Sequence, residues 1–313
     1  MTTGLFTHSA CFEHVTPPGH PERVERLQAV LNALDSANFP SLVRMEAPRA
    51  DRDSLLRAHE RILVDEILSA SIEPQRFVRI DADTTMSAGS REAAVRAAGA
   101  VIGAVDEVMA GRFVNAFCAV RPPGHHAERA RPMGFCLFNN IAIGALHARA
   151  THGLDRVAVI DFDVHHGNGT QDIFYNDPDL FYASTHQSPL YPGTGFPSEQ
   201  GIADNILNVP LPPEAGSAPF RAAFEEEILP SLEAFSPHFL FISAGFDAHY
   251  ADPLASLRLN EADFEWATGR LCDVAARICD GRVVSALEGG YDLEALARSA
   301  AAHVSALVAG GSR

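Results

Sequence analysis

The segment DFDVHHGNG at residues 161–169 constrains the fold and the chemistry of this chain more than any other stretch. It follows the apolar run VAVI at residues 157–160, which is typical of a buried β-strand. Because successive side chains of a strand alternate between faces, Asp161, Asp163 and His165 are predicted to lie on one face. Burying two carboxylates and an imidazole together is unfavourable unless a cation or hydrogen bonds compensate for their charge. The segment therefore predicts a divalent-metal site at the carboxyl end of a strand.

Strand-like and helical patterns alternate along most of the chain. The strand-like runs are at residues 4–8, 114–120, 157–163, 180–185, 239–245 and 283–287. The helical patterns are at residues 21–34, 91–109, 140–151, 218–234, 261–279 and 293–308. This alternation predicts an α/β fold with a mostly parallel central sheet and helices on both faces. No linker, repeat or low-complexity segment interrupts it, so residues 1–313 are predicted to form a single domain.

The composition limits the class of partner. The net charge is −16, with 24 Lys and Arg against 40 Asp and Glu, which argues against binding to a nucleic-acid backbone. An acidic surface either attracts cationic substrates or only keeps the protein soluble. No apolar run approaches the roughly 20 residues of a membrane span, and the N-terminus lacks the pattern of a secretory signal. The five cysteines are widely spaced without a CxxC pair, so a reduced, cytoplasmic protein is expected.

A third metal ligand is predicted in the segment FLFISAGFD at residues 239–247. Its apolar run leads through small residues to Asp247, which would lie at the mouth of a buried strand. In parallel α/β folds ligands bind at the carboxyl ends of strands, where both acidic segments fall. Asp163, His165 and Asp247 together form an Asp2His set, which suits a catalytic Zn2+ or Fe2+ with an open position.

Two adjacent histidines follow a rigid turn in the segment RPPGHH at residues 121–126. One imidazole can accept a proton from water while the other stays protonated and stabilises negative charge. Each ring needs a partner that sets its tautomer, and Asp161 and Asn168 remain for that role. A carboxylate raises the basicity of an imidazole more than an amide does, so His125 and His126 are predicted to differ in proton affinity.

The segment LEGGY at residues 287–291 ends the last strand-like run with a pair of glycines. This arrangement would place Tyr291 at the same rim of the sheet, where its hydroxyl can donate to an oxyanion. An ordinary turn is the alternative, because Gly-Gly-Tyr is common in turns.

Taken in order, these motifs resemble those of the zinc-dependent histone deacetylase superfamily, which also includes acetylpolyamine amidohydrolases. The resemblance covers nearly the whole chain and implies the single-domain arginase/deacetylase fold. Asn168 stands where class I enzymes have Asp, so the class II pattern is indicated. The matching segments are HPER (20–23), RPPGHH (121–126), GFCLFNN (134–140), DFDVHHGNGT (161–170), SAGFDA (243–248) and LEGGY (287–291).

The resemblance implies a role for each matching residue. The metal ligands would be Asp163, His165 and Asp247, with zinc as the ion and Fe2+ as an alternative. His126 would be the general base and acid. The other implied catalytic residues are Asp161 behind His125, Asn168 behind His126, and Tyr291 as the hydrogen-bond donor to the acyl carbonyl.

The resemblance also implies an acyl tunnel and bound potassium. Gly134, Phe135 and Tyr191 match residues of the tunnel wall, although many members carry Phe at the position of Tyr191. A structural K+ would bind Ser184 together with Asp161, Asp163 and His165. A second potassium site is implied near Phe174, Asp177, Leu180 and Asn205.

The implied activity is hydrolysis of an acetyl or other short acyl amide by metal-activated water. Leu254 stands seven positions after Asp247, where polyamine deacetylases carry an acidic residue that binds a second amine. An apolar residue cannot pair with a buried ammonium, so an acyl-lysine-like amine is favoured as the substrate.

Three alternatives remain open from the residues. One is an amidohydrolase of acetylpolyamines or other small acetylated amines. Another is a non-catalytic acyl-lysine-binding protein, which the presence of His126 and Tyr291 disfavours. An arginase-like hydrolase would need more ligands for its two metal ions. The oligomeric state is not readable, and a homo-oligomer is one option.

Overall fold

The computed structural model describes residues 2–311, and its core is an eight-stranded sheet in which every neighbouring pair is parallel. The strand order is β2-β1-β5-β10-β9-β6-β7-β8, and β3 and β4 form a separate antiparallel hairpin. The strands are β1 (Thr3–Thr7), β2 (Leu42–Glu46), β3 (Val78–Arg79), β4 (Thr85–Met86), β5 (Asn115–Cys118), β6 (Val157–Asp161), β7 (Leu180–Gln187), β8 (Ile206–Leu211), β9 (Phe239–Ala244) and β10 (Val283–Leu287). The predicted α/β fold is therefore confirmed.

Helices cover the sheet and bury its inner strands on both faces. Every residue of β5, β6, β9 and β10 is buried, which explains why these strands read as continuous apolar runs. The helices are α1 (Val24–Ala33), α2 (Arg52–Ala58), α3 (Arg61–Ser69), α4 (Ser90–Met109), α5 (Asn140–His152), α6 (Asn168–Phe174), α7 (Ser217–Ala223), α8 (Leu229–Phe235), α9 (Glu261–Ile278) and α10 (Leu293–Gly310). The helix predicted at residues 218–234 is interrupted by a π-helical turn at Phe224–Ile228.

Strand alternation was the wrong explanation for the orientation of Asp163 and His165. Strand β6 ends at Asp161, so strand alternation does not direct Asp163 and His165. Instead the chain turns, and carboxylates accept the backbone N–H groups two residues ahead. The N–H of Asp163 donates to Asp161 Oδ1 at 3.0 Å, and that of His165 donates to Asp163 Oδ1 at 2.9 Å. Local side chain-to-backbone bonds of this kind, rather than pleating, orient the acidic side chains.

The order of the strands gathers the motifs at one edge of the sheet. Strand β10 lies between β5 and β9, and β6 lies beside β9. In the register of β6 and β9, Asp161 is opposite Ser243. Because all these strands run in the same direction, their carboxyl ends meet at the same edge, as predicted for a ligand site.

Two simpler expectations can be compared with the fold. All five cysteines lie among the described residues, and each is a buried free thiol. In the described range 2–311, none of the helices combines the length and the apolar character needed to cross a bilayer.

Candidate active site

The three predicted metal ligands converge at the carboxyl edge of the sheet. His165 Nδ1 lies 3.1 Å from Asp163 Oδ1 and 3.1 Å from Asp247 Oδ2. The other carboxylate oxygens are occupied by backbone donors: Gly289 N–H donates to Asp163 Oδ2 at 2.8 Å, and Val164 N–H donates to Asp247 Oδ1 at 2.9 Å. Each carboxylate therefore directs one oxygen at the imidazole while a backbone N–H fixes the other, and Asp163 Oδ1 accepts the His165 N–H as well.

The charges in this group require a cation or a bound proton. Both carboxylates are fully buried, and His165 is only 8% exposed. Burial opposes a charged imidazole, but hydrogen bonds and attraction from Asp163 and Asp247 outweigh it and raise the pKa of His165 to about 10. Two anions facing one nitrogen are thus compensated either by protonating His165 or by a metal ion that takes the place of that proton. The chemistry of the donor set fits Zn2+ or a similar ion.

Gly289 is required by the close packing of this group. Its Cα lies against the carboxylates of Asp247 and Asp163, so that an added Cβ would overlap both. The third residue of the LEGGY motif is therefore small because the backbone approaches two acidic side chains directly.

The tandem histidines have different partners. His125 Nδ1 lies 2.9 Å from Asp161 Oδ2, and His126 Nδ1 lies 2.8 Å from Asn168 Oδ1. Asn168 is fixed in this orientation, because its Nδ2 donates to Glu128 Oε1 at 2.7 Å. The Asn168 oxygen must therefore accept a hydrogen bond from the Nδ1–H of His126, which leaves His126 Nε2 as the basic nitrogen.

The two rings differ in proton affinity, as the sequence predicted. Burial disfavours charge on both rings. At His125 the carboxylates of Asp161 and Asp163 overcome burial and raise its pKa well above the ordinary value. At His126 burial and the neighbouring His125 and His165 lower the pKa well below that value. These opposite pKa shifts favour a protonated His125 and a neutral His126.

A buried glutamate holds the turn before the histidines, and the sequence alone indicated no role for it. Glu288 is fully buried, and its Oε2 accepts the N–H groups of Gly124 at 2.7 Å and His125 at 3.1 Å. Its other oxygen accepts the hydroxyl of Ser243 at 3.4 Å. The available signal was an acidic residue at the end of an apolar strand, which a buried environment tolerates only with hydrogen-bond partners.

A second unassigned group links the N-terminal HPER segment to the site. Glu22 is fully buried and binds the guanidinium of Arg121 through two nitrogens, one of them Nη2 at 2.6 Å. It also accepts Arg26 Nη1 at 3.1 Å. Burial opposes ionisation of Glu22, but the Arg121 guanidinium lowers its pKa to about 2. The charged cluster stays ionised because every member is paired.

Arg26 and Asp252 together position the predicted oxyanion donor. The Arg26 guanidinium lies 4.8 Å from the centre of the Tyr291 ring, and its Nε donates to the carbonyl of Gly290 at 2.6 Å. Asp252 accepts the backbone N–H groups of Tyr291 at 2.7 Å and Leu254 at 3.0 Å. One carboxylate therefore fixes both Tyr291 and the residue predicted to control specificity.

A narrow cavity of about 220 Å³ leads down to His126 and His165. All four residues predicted to bind substrate line it, namely Gly134, Phe135, Tyr191 and Leu254. Tyr291 contributes to its wall, and its ring lies edge-on to Phe135 at 5.9 Å. Asp83 and Leu190 also line this cavity, which we call the tunnel, and the sequence reading identified neither.

The residues predicted to bind potassium lie in two places. Ser184 is opposite Asp161 in the register of β6 and β7, and its hydroxyl lies 3.0 Å from His186 Nδ1. At the second place the Asn205 amide nitrogen lies within hydrogen-bond distance of three backbone carbonyl oxygens. These belong to Phe174 at 3.1 Å, Asp177 at 3.1 Å and Leu180 at 2.8 Å. Converging carbonyl oxygens are a donor set that suits K+.

Comparison with known proteins gives similarity along almost the whole chain. A family model described as the histone deacetylase domain matches residues 20–307. A probable deacetylase of Archaeoglobus fulgidus is 39% identical over 300 residues, which span 94% of this chain and 82% of that protein. The histone deacetylase-like amidohydrolase of Pseudomonas aeruginosa is 38% identical over 286 residues, spanning 88% of this chain and 74% of that protein. The crystal structure of the HDA15 HD domain matches with a TM-score of 0.92 at 35% identity, covering 98% of this chain and 88% of the other.

Proposed function

The chain belongs to the histone deacetylase family and is a hydrolase, and we propose that it is a zinc-dependent enzyme that removes acetyl or other short acyl groups from an acyl-lysine-like amine. One observation carries this proposal: the buried Asp163 and Asp247 converge on His165, and His165 lines a tunnel that also reaches His126. The continuous core and shared sheet within residues 2–311 support the single catalytic domain predicted for residues 1–313.

Zinc would be held by Asp163, His165 and Asp247. When bound, it polarises the acyl carbonyl and acidifies water as a Lewis acid. Fe2+ is the alternative for the same ligands. K+ would be held near Ser184, which is opposite the last residue of β6, and by the carbonyl groups around Asn205, which lie between α6 and the start of β7.

The protein's own groups perform the proton transfers. Neutral His126 accepts a proton at Nε2 from the water that attacks the acyl carbon. The Tyr291 hydroxyl donates a hydrogen bond to the carbonyl oxygen as that oxygen gains negative charge. His126 then returns its proton to the amine nitrogen as the C–N bond breaks, which yields a carboxylic acid and a free amine. Cationic His125 stays charged beside Asp161 and favours the developing negative charge.

Leu254 supports an acyl-lysine-like substrate over a polyamine. It is half-buried on the tunnel wall, and Asp252 fixes its backbone. An apolar side chain at this point offers nothing to a second ammonium group.

Asp83 favours a second candidate, an acetylpolyamine or another small cationic amide. It is an acidic residue that lines the same tunnel as the apolar Leu254, and it could provide the charge pairing that Leu254 lacks. Burial and the neighbouring Asp81 raise the pKa of Asp83, so a cationic group that binds it would relieve like-charge repulsion.

The two candidates separate in one comparison of kcat/KM. An acetyl-lysine peptide and N8-acetylspermidine are assayed with the protein stripped of metal and then reloaded with Zn2+. Zinc-restored turnover that prefers the peptide supports the proposed function. Zinc-restored turnover that prefers the polyamine, and that Asp83→Asn abolishes, supports the second candidate. Turnover that persists without metal contradicts both.

A further inference from the structure

A second group of metal-ligating side chains lies between α4 and α5. His147 Nε2 and His152 Nε2 each lie 2.7 Å from Asp106 Oδ1. The imidazole rings meet edge-on, with their centres 5.7 Å apart. Among residues 2–311 only one other group brings three such ligand atoms this close together, and that group is Asp163, His165 and Asp247.

We propose that Asp106, His147 and His152 form a second site for a divalent transition metal such as Zn2+. Two imidazole nitrogens and one carboxylate oxygen are a donor set that zinc prefers, with water completing the coordination. His147 is buried, whereas His152 and Asp106 are half-exposed, so an ion can enter from solvent and keep its water ligands. The net charge of −16 favours the approach of a cation.

This site is separate from the tunnel. Helix α5 begins at Asn140, the last residue of the GFCLFNN segment that borders the tunnel, and has 13 residues. His147 and His152 lie in its second half, and the whole helix is roughly 20 Å long at 1.5 Å per residue. A metal bound there would hold α4 to the half of α5 that lies away from the tunnel.

A neighbouring arginine holds His147 in the tautomer that cannot bind a metal. Arg57 Nη1 lies 2.9 Å from His147 Nδ1, and a guanidinium can only donate. His147 Nδ1 must therefore accept, so the proton of the neutral ring sits on Nε2 and is donated to Asp106. In this state the Nε2 lone pair that a metal needs is not available.

The structure also contains a hydrogen-bond acceptor for the other tautomer of His147, the one that can bind a metal through Nε2. Thr151 Oγ1 lies 3.2 Å from the same His147 Nδ1 and can accept a hydrogen bond. When a metal takes Nε2, the ring proton moves to Nδ1 and is donated to Thr151, while Arg57 turns away. Arg57 lines an open surface cavity of about 520 Å³, which gives its side chain room to do so. Arg57 therefore acts as a competitor of the metal.

The test counts Zn2+ ions per chain with a chromophoric chelator, using protein whose tunnel site has first been loaded with zinc. Wild-type protein should bind a second, weaker equivalent. Arg57→Ala should bind that equivalent about tenfold more tightly or better, because Arg57 favours the tautomer that cannot bind metal, and hydrogen-bond partners of a ligand commonly change metal affinity 10- to 100-fold. Asp106→Asn and His152→Ala should lose it and retain both the first equivalent and wild-type turnover.

His238→Ala is the matched control, since His238 is a partly exposed histidine outside both groups. It should retain the second equivalent, and thermal unfolding without added Zn2+ checks that every variant is folded. The inference is overturned if Arg57→Ala binds no second ion, or if Asp106→Asn and His152→Ala bind it as wild-type protein does. The count of bound ions is independent of deacetylase activity, so failure of the proposed function would not affect this result.

Discussion

The floor and the rim of the tunnel are built in different ways. We define the floor as Asp163, His165, Asp247 and the tandem histidines, and the rim as Asp83, Leu190, Tyr191 and Leu254. The floor side chains are buried and held by hydrogen bonds from four neighbouring strands or the turns that follow them. The rim side chains come from loops, and Tyr191 is 38% exposed. The difference indicates that the chemistry is fixed by the fold whereas the selectivity can change without disturbing it.

The largest loss of activity is expected when one of the predicted metal ligands of the floor is removed. Asp247→Ala removes one of the three convergent side chains and leaves its partners without the third donor. Zinc content should fall well below one ion per chain and turnover should fall to background with every substrate. Full zinc content measured by atomic absorption would remove Asp247 from the ligand set.

A smaller loss of activity is expected when the predicted hydrogen-bond donor to the substrate carbonyl is removed. Tyr291→Phe keeps the ring against Phe135 and under Arg26 but removes the hydroxyl. We expect kcat to fall about 100- to 1,000-fold, the usual cost of losing one oxyanion donor, while zinc stays bound. Near-normal kcat in a variant with full zinc content would exclude this role for Tyr291.

The support beneath the floor should show an intermediate effect. Glu288→Gln replaces the carboxylate that accepts Gly124 and His125 N–H groups with a neutral amide of the same size. Because Glu288 acts through the turn that carries His125, we expect kcat to fall about 10- to 100-fold with KM little changed. Glu288→Asp should have less than wild-type activity, since the aspartate side chain is too short to reach both N–H donors. A change confined to KM would assign Glu288 to substrate binding instead.

At the rim the expected effect is a change of preference rather than a loss. Leu254→Glu introduces an anion on the tunnel wall and should raise the kcat/KM ratio of N8-acetylspermidine to acetyl-lysine peptide by about tenfold or more. Leu254→Gln is the control, because it is polar and of similar size but carries no charge. If both variants shift the ratio equally, polarity rather than charge controls the choice.

The smallest effect concerns the apolar layer beneath the floor and is a change of stability with pH. His303 is fully buried against Phe162 and Phe246, and it bonds Thr268 and Ser285 through its two nitrogens. Burial lowers its pKa from 6.5 to about 3. Between these values the unfolded chain binds a proton that the folded protein does not, so His303 makes stability fall as the pH is lowered through this window.

We therefore expect His303→Gln to weaken the acid sensitivity of the free energy of unfolding. The difference in slope should approach about 1.4 kcal/mol per pH unit between roughly pH 4 and 6, and vanish above pH 7. Urea unfolding at several pH values measures the free energy of unfolding of wild-type protein and of His303→Gln. Parallel curves would show that His303 is not the titrating group.

The same comparison explains what could be read from the sequence. The six strand-like runs all form strands, because inner parallel strands buried on both faces give continuous apolar runs. The edge strands β2 and β8 were not predicted, since their partly exposed residues interrupt that pattern. The resemblance to the histone deacetylase family and the predicted hydrolase activity are confirmed by the comparisons.

The supporting residues were harder to predict than the floor. Metal ligands and paired histidines belong to types whose spacing has chemical meaning. Glu22, Glu288 and Asp252 act through backbone N–H groups or buried arginines that are distant in sequence, so their roles depend on contacts that only the fold creates. Asp83 escaped notice for a similar reason, because it reaches the tunnel from the loop of the β3–β4 hairpin.

The most direct test of the division between floor and rim is the kcat/KM ratio of acetyl-lysine peptide to N8-acetylspermidine, measured for zinc-loaded wild-type protein, Tyr291→Phe and Leu254→Glu. We predict that Tyr291→Phe lowers both constants by a similar factor and leaves the ratio within about twofold of wild type, because its hydroxyl acts on the acyl group that both substrates share. Leu254→Glu should change the ratio and retain most of the activity on its preferred substrate. A ratio that shifts strongly in Tyr291→Phe, or stays constant in Leu254→Glu while both activities fall together, would contradict this account.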